Sequence, residues 1–132
     1  MERVVEVRRR LKEEAIRRAK TFSECVKNKL GKVTTMVFGS YARGDFNVWS
    51  DIDVLVVVDS VLPKNPLRRL DIVEECLLAV GVVEPIILTI NEFMEKLRKK
   101  DPAVVEAVDE GIAILDDLEL RKQIEEDSRT FN

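Results

Sequence analysis

Two carboxylates stand at the entrance of the most apolar segment of this chain. Asp51 and Asp53 open a run over residues 52–58 that has the composition of a buried strand. Because strand side chains alternate, both carboxylates face one side and Ile52 faces the other. Such a pair is costly beside an apolar strand unless a cation neutralises it. Oxygen ligands without His or Cys favour Mg²⁺ or Mn²⁺ over zinc.

A Gly-Ser pair upstream of these carboxylates supplies groups that suit an anion. Gly39 and Ser40 follow a predicted strand over residues 33–38. Gly39 has no Cβ, so a phosphate can approach its backbone closely. If residues 40–43 form a short helix, its first N–H groups face that phosphate, with the Ser40 hydroxyl and the Arg43 guanidinium nearby. The pattern predicts a site for a metal-bound nucleoside triphosphate; the alternative is a loop in which two solvated aspartates begin a strand.

The spacing of the two halves resembles a known signature. Gly39-Ser40, ten residues and then Asp51-x-Asp53 resemble the motif of DNA polymerase β-type nucleotidyltransferases, and most closely that of the minimal nucleotidyltransferase (MNT) proteins. The segments Gly-Ser-Tyr-Ala-Arg-Gly and Ser-Asp-Ile-Asp-Val-Leu-Val also resemble the family's sequence pattern. The resemblance implies catalytic, metal-binding roles for Asp51 and Asp53. It implies nucleotide-binding roles for the residues Gly39, Ser40, Arg43 and Ser50.

The resemblance also implies a third catalytic, metal-binding acid on the neighbouring strand. Glu84 is the only carboxylate of the predicted strand over residues 82–90, so it is the candidate. The family most often has Asp there, and Pro85 cannot donate to a strand ladder, which predicts a sheet edge or a distortion. The alternative is a solvated residue at the entry of the strand.

The resemblance implies a transferase that uses ATP and Mg²⁺, with two ions expected and Mn²⁺ possible as a substitute. MNT proteins typically pair with a HEPN-family toxin, act as its antitoxin and transfer AMP to a tyrosine of that toxin. Two other interpretations stay open: an aminoglycoside-type, small-molecule nucleotidyltransferase that is active as a dimer, and a non-catalytic antitoxin that acts by binding alone. We also expect a homo- or hetero-oligomer.

Composition narrows the classes of function further. The chain has 132 residues, interpreted as a single nucleotidyltransferase domain over residues 1–132, with 22 basic and 25 acidic residues. This charge balance predicts no direct nucleic-acid binding. With no His, a general base must be a carboxylate, a metal-bound hydroxide or the substrate itself.

No apolar run suits a membrane span or a signal peptide, so we expect a cytoplasmic protein. Cys25 and Cys76 form no motif and favour buried free thiols over a disulfide.

The fold that must position these residues is predicted to be α/β (α+β), a polymerase β-like small mixed sheet of three to four strands packed against helices. The helices are predicted over residues 2–30, 67–80, 91–100, 102–110 and 118–127, and a fourth strand or extended segment over 112–115. The strand that starts at Asp51 is expected in the centre of the sheet.

The arginines Arg8-Arg9-Arg10 and Arg17-Arg18 indicate either a basic patch or a solvated face paired with nearby glutamates, and the second is favoured. Trp49 covers either the nucleotide or the rim of the core.

Overall fold

The computed structural model describes residues 2–131, and within this range the chain forms seven α-helices around one four-stranded sheet. The strands are β1 (Val33–Phe38), β2 (Ile52–Val58), β3 (Val83–Thr89) and β4 (Ile112–Asp116). The helices are α1 (Glu2–Leu30), α2 (Ser40–Arg43), α3 (Pro66–Ile72), α4 (Glu74–Val80), α5 (Ile90–Arg98), α6 (Pro102–Glu110) and α7 (Leu120–Phe131). The predicted fold class, a small mixed sheet packed against helices, is confirmed.

The strands lie in the order β3-β2-β1-β4. β1 runs antiparallel to both β2 and β4, whereas β2 and β3 are parallel. The apolar strand β2 is therefore internal, as its composition predicts, because a strand that is apolar on both faces must be covered on both. β3 is an edge strand, which agrees with Pro85 at its third position.

Two apolar clusters cover the two faces of the sheet. Val54, Val56 and Val58 face a cluster with Phe22 and Val26 of α1. Leu55 and Val57 of β2 face the other cluster, which is closed by α5, α6 and the start of α7. Asp53 shares the alternation of Leu55 and Val57, so it lies at the end of the second face, next to α6.

The sequence predicted most of the helices: α1 has the expected bounds, and a short helix, α2, does start at Ser40. The single helix expected over residues 67–80 is wrong, because the chain bends at Val73 (φ −105°, ψ 13°) and forms α3 and α4 instead. Strand β3 begins one residue later than expected because Val82 adopts a left-handed conformation (φ 50°).

The prediction of free thiols is wrong. Cys25 of α1 and Cys76 of α4 form a disulfide, with their Cα atoms 5.7 Å apart. The two cysteines are separated by 51 residues in sequence, and no short motif signals their pairing. Only the packing of α4 against α1, which the bend at Val73 permits, brings the two sulfur atoms together.

The arginines of α1 mostly form ion pairs on a solvated face, as favoured from sequence. Glu6 pairs with Arg9 and Arg10, and Glu14 pairs with Arg17 and Arg18 at helical spacing. Arg8 differs, since it reaches the loop that follows α2. Among residues 2–131, no helix combines the length and the apolar character that a bilayer crossing requires.

Candidate active site

The strand register brings two of the three predicted acidic residues side by side. Asp53 of β2 is the direct partner of Glu84 of the parallel strand β3. Directly paired residues point to the same face of a sheet, so both carboxylates lie on the face covered by α6. Asp51 precedes β2 by one residue and is exposed, whereas Asp53 is half-buried at the end of the apolar cluster. Glu84 thus lies on the strand next to Asp53, as expected, whereas Asp51 lies just outside the strand in which it was predicted. The catalytic and metal-binding roles of all three acids stay predictions.

The pKa of Asp53 is raised above its ordinary value, first because burial penalises its charged form. The negative charges of Glu84, Asp51 and Glu106 raise this pKa further, whereas Arg43 opposes the change. Thus three other carboxylates and one guanidinium are close enough to act on Asp53. An additional positive charge at this corner would relieve the repulsion between these groups.

Gly39 lies directly against the carboxylate of Asp53. It adopts φ 73° and ψ −150°, a conformation that side-chain-bearing residues avoid. A Cβ atom at this position would stand only 2.1 Å from Asp53 Oδ2. Two features therefore require glycine at position 39: the backbone conformation, and the close approach of this backbone to Asp53 of β2.

Helix α2 is a single turn, and an aromatic contact holds it in place. Tyr41 is buried and its ring stacks on Phe46 at 4.5 Å between centroids. The Arg8 guanidinium lies 4.5 Å above the Phe46 ring, and its Nη2 donates to the Gly44 carbonyl at 2.6 Å. The chain from Ser40 to Phe46 is thus fixed between the core and α1, although so short a helix has little stability of its own.

Arg43, a predicted nucleotide-binding residue, is held by two carboxylates. Its Nε donates to Asp45 Oδ2 at 3.2 Å, and its Nη1 donates to Glu106 Oε1 of α6. Asp45, which follows α2 by two residues, thus faces Arg43. Glu106 was not predicted, because it lies 53 positions after Asp53 on an ordinary amphipathic helix and belongs to no motif.

Ser50 is placed in a structured turn. Its hydroxyl accepts from the Asn47 N–H at 2.9 Å, and the Asn47 side chain accepts from the Trp49 N–H at 2.8 Å. A role for Ser50 in nucleotide binding stays a prediction. Trp49 is 88% exposed, so the expectation that it covers the rim of the core is wrong, and contact with a nucleotide stays a prediction.

The donor set at this corner suits a hard divalent cation. Asp51, Asp53 and Glu84 offer oxygen atoms only, which Mg²⁺ prefers, and their mutual repulsion at Asp53 favours a bound cation. Within the described range, no three acidic residues already form a closed ligand set. Small adjustments of the exposed side chains Asp51 and Glu84 would be needed to close one.

Known protein sequences are similar to much of this chain. The family model described as "Nucleotidyltransferase domain" matches residues 19–126, which include both motifs, Glu84 and Glu106. A "putative protein adenylyltransferase" of Methanocaldococcus jannaschii is 51% identical over 39 residues, covering 30% of this chain and 37% of that protein. A second protein of that description from the same organism is 37% identical over 79 residues, covering 58% of this chain and 75% of its own length.

One solved structure is also similar. A chain described as a putative nucleotidyltransferase from Sulfolobus solfataricus is 28% identical, with a TM-score of 0.48, and the match covers 76% of this chain and 82% of that one.

Proposed function

The chain belongs to the nucleotidyltransferase domain family, and on this premise we propose that it transfers AMP from ATP to a hydroxyl group of a protein. The observation that supports this most directly is the position of Asp53, which lies between Glu84 on the next strand and Gly39 at the end of β1. Carboxylates for a metal and a glycine corner for phosphates thus meet at one place.

In the proposed reaction, a hydroxyl oxygen of the acceptor attacks the α-phosphorus of ATP. A new P–O bond forms, the bond between the α-phosphorus and the bridging oxygen breaks, and pyrophosphate leaves. The backbone at Gly39 and Ser40 binds the β- and γ-phosphates, and Arg43 adds positive charge. Glu84 receives the proton of the acceptor hydroxyl, since the chain contains no His.

Asp51, Asp53 and Glu84 would hold Mg²⁺ at this corner. When bound, the metal stabilises the negative charge that develops on the attacking and leaving oxygens. The protein's own contribution in this proposal is to orient the triphosphate toward the three acids. The strand register, which sets Asp53 beside Glu84, supports this role.

A macromolecular acceptor agrees with the exposure of the site. Asp51, Glu84 and Arg43 are exposed, and Trp49 projects from a structured turn two residues before Asp51. An acceptor protein would cover the exposed side of the site and exclude water from the reaction. The names of the two Methanocaldococcus relatives point in the same direction.

The acceptor in this proposal is a tyrosine of a HEPN-family toxin, for which this chain is the antitoxin. This part depends on the likeness of Gly39-Ser40 and Asp51-x-Asp53 to the MNT signature. It also predicts a hetero-oligomer and a cytoplasmic location, since such a toxin acts inside the cell.

The test is label transfer to a HEPN-family toxin, which the proposal expects to be encoded beside this chain. The two proteins are incubated with Mg²⁺ and ATP labelled at either the α- or the γ-phosphate. We expect label on the partner from α-labelled ATP alone, and no label with the Asp53→Asn variant. Label from γ-labelled ATP alone would indicate a kinase and contradict the proposal. A stable complex without label would favour an antitoxin that acts by binding, and label on an aminoglycoside instead would favour the small-molecule enzyme.

A further inference from the structure

Glu106 connects helix α6 to the phosphate-binding corner. Its carboxylate accepts from Arg43 Nη1, and its side chain is 27% exposed, against 64% for Asp45, the other partner of Arg43. We propose that Glu106 is a positioning residue that holds the Arg43 guanidinium ready to bind the triphosphate of ATP. This inference rests on the proposed function and adds to it a residue that none of the motifs contains.

The first argument concerns the shortness of α2. This helix runs only from Ser40 to Arg43, and Tyr41 is its one buried side chain. Arg43 itself is exposed, and a long exposed side chain has many rotamers of similar energy. Its contact with Glu106 reaches 63 positions along the chain, to a helix packed on the opposite side of the corner. Glu106 therefore limits the rotamers of the Arg43 side chain, which packing in the core does not limit.

The second argument concerns the donors of Arg43. A guanidinium carries five N–H donors in a planar fork. Asp45 accepts from Nε and Glu106 accepts from Nη1, so neither contact uses Nη2. The arginine can keep both carboxylates and still offer Nη2 to a phosphate oxygen. Retention of both contacts would leave the guanidinium already oriented before ATP arrives.

The third argument concerns location. Arg43 ends helix α2, whose N-cap is Gly39, and a Cβ atom on Gly39 would stand 2.1 Å from Asp53 Oδ2. Glu106 reaches this corner through its contact with Arg43. The pair therefore stands at the corner where the nucleotide is expected. Without Arg43 beside it, Glu106 would add a further negative charge at a site that must accept a polyanion.

The contrary possibility is that Glu106 competes with ATP for Arg43. In that case the nucleotide would have to displace Glu106, and removal of Glu106 would strengthen ATP binding. Pre-organisation predicts the reverse, because a freed Arg43 must be ordered again when ATP binds. The sign of the change in Kd separates the two possibilities.

The experiment measures binding of adenosine 5′-(α,β-methylene)triphosphate with Mg²⁺ by isothermal titration calorimetry, so that no acceptor or turnover is needed. We expect Glu106→Ala to raise Kd by about tenfold, as for the loss of one charge-assisted hydrogen bond. Glu106→Gln, which can still accept from Arg43, should lie between it and the wild type. In the Arg43→Ala background, Glu106→Ala should change Kd by less than about twofold, since the partner is already gone.

Glu110→Ala is the matched control, since it removes the same charge one turn further along α6, at an exposed position. It should leave Kd within about twofold of the wild type. Melting temperatures of all variants confirm that each is folded under the binding conditions. An unchanged or lower Kd for Glu106→Ala, or an equal effect with and without Arg43, would overturn the inference. A wild-type protein that fails to bind the analogue would instead overturn the proposed function.

Discussion

Asp53 is the residue at which stability and the proposed function oppose each other. Its carboxylate is half-buried beside Glu84 and near Asp51, and its pKa is raised in the folded chain. The folded state therefore binds the proton more readily than the unfolded state does, and stability is lost as the pH rises through the raised pKa. At neutral pH without metal, the charged Asp53 destabilises the fold.

The variant Asp53→Asn should therefore have a higher melting temperature than the wild type in the absence of divalent cations, and no detectable transferase activity. Mg²⁺ should raise the melting temperature of the wild type and leave that of the variant almost unchanged. Scanning calorimetry with and without Mg²⁺ checks both statements. A variant that keeps half of the wild-type turnover would contradict the assignment of Asp53.

Gly39 allows a second test at the level of a single residue. Gly39→Ala should abolish binding of the ATP analogue, because the new Cβ would displace the Asp53 carboxylate in addition to straining the backbone. Gly31→Ala is the control: Gly31 also has a positive φ, of 84°, but no atom lies within 4 Å of the added Cβ. It should cost about 1–2 kcal/mol of stability for the left-handed conformation and leave analogue binding intact. Equal binding by both variants, measured by calorimetry, would exclude the close approach of Gly39 and Asp53.

At the scale of elements, the disulfide joins α1 to α4 and encloses both motifs. Closing a loop of this length stabilises a fold by about 4 kcal/mol in the chain-entropy model. The double variant Cys25→Ala/Cys76→Ala should thus melt about 10–20 °C below the oxidised protein. A thermal melt with and without a reducing agent provides the same comparison on the wild type. If reduction leaves the melting temperature unchanged, the disulfide does not form in solution.

An ion pair between a buried arginine and a half-buried glutamate fixes the edge strand that carries Glu84. Arg69 of α3 is 6% exposed; it donates to the carbonyl of Ile87 in β3 and forms two hydrogen bonds with Glu92 of α5. Mainly because of Arg69, the pKa of Glu92 falls to about 2. This pair therefore contributes its full stability above the ordinary pKa near 4.5 and loses it as the pH falls toward 2.

Substitution of Glu92 by Gln should lower the free energy of unfolding at pH 7 by roughly 1–3 kcal/mol, because Arg69 stays buried without its counter-charge. The difference from the wild type should shrink as the pH is lowered from about 4.5 to 2. Glu95→Gln is the control on the same helix, since Glu95 is exposed and pairs with Lys99 at helical spacing. Urea unfolding at several pH values measures the free energy of unfolding of the wild type and of both variants. If the free energy of unfolding of Glu92→Gln stays below that of the wild type by a constant amount down to pH 2, the charged pair is not the source of this stability.

At the scale of the whole molecule, local patterns in the sequence predicted the elements and the two halves of the site. The apolar run over residues 52–58 is a short-range signal, and the strand that it predicts is present as β2. The helix predicted over residues 2–30 is present as α1. The placement of Glu84 on the strand next to Asp53 was expected from the family resemblance, not from the residues alone.

Features that depend on long-range packing could not be predicted. The Cys25–Cys76 pair requires α4 to pack against α1, and the Arg43–Glu106 contact requires α6 to lie near the end of α2. Neither partner is marked by its neighbours in sequence. Long-range pairs of this kind appear only when the elements have been assembled.

The most direct test of the central claim is a crystal structure of the protein with Mn²⁺ and adenosine 5′-(α,β-methylene)triphosphate, in which anomalous scattering locates the metal. We expect the metal within coordination distance, about 2.0–2.6 Å, of oxygen atoms of Asp53 and Glu84. The triphosphate should lie along Gly39 and Ser40, with Arg43 still in contact with Glu106. A nucleotide bound elsewhere, such as in the cleft of about 400 Å³ between α3, β3 and α5, with no metal at Asp53, would contradict the assignment of the active site.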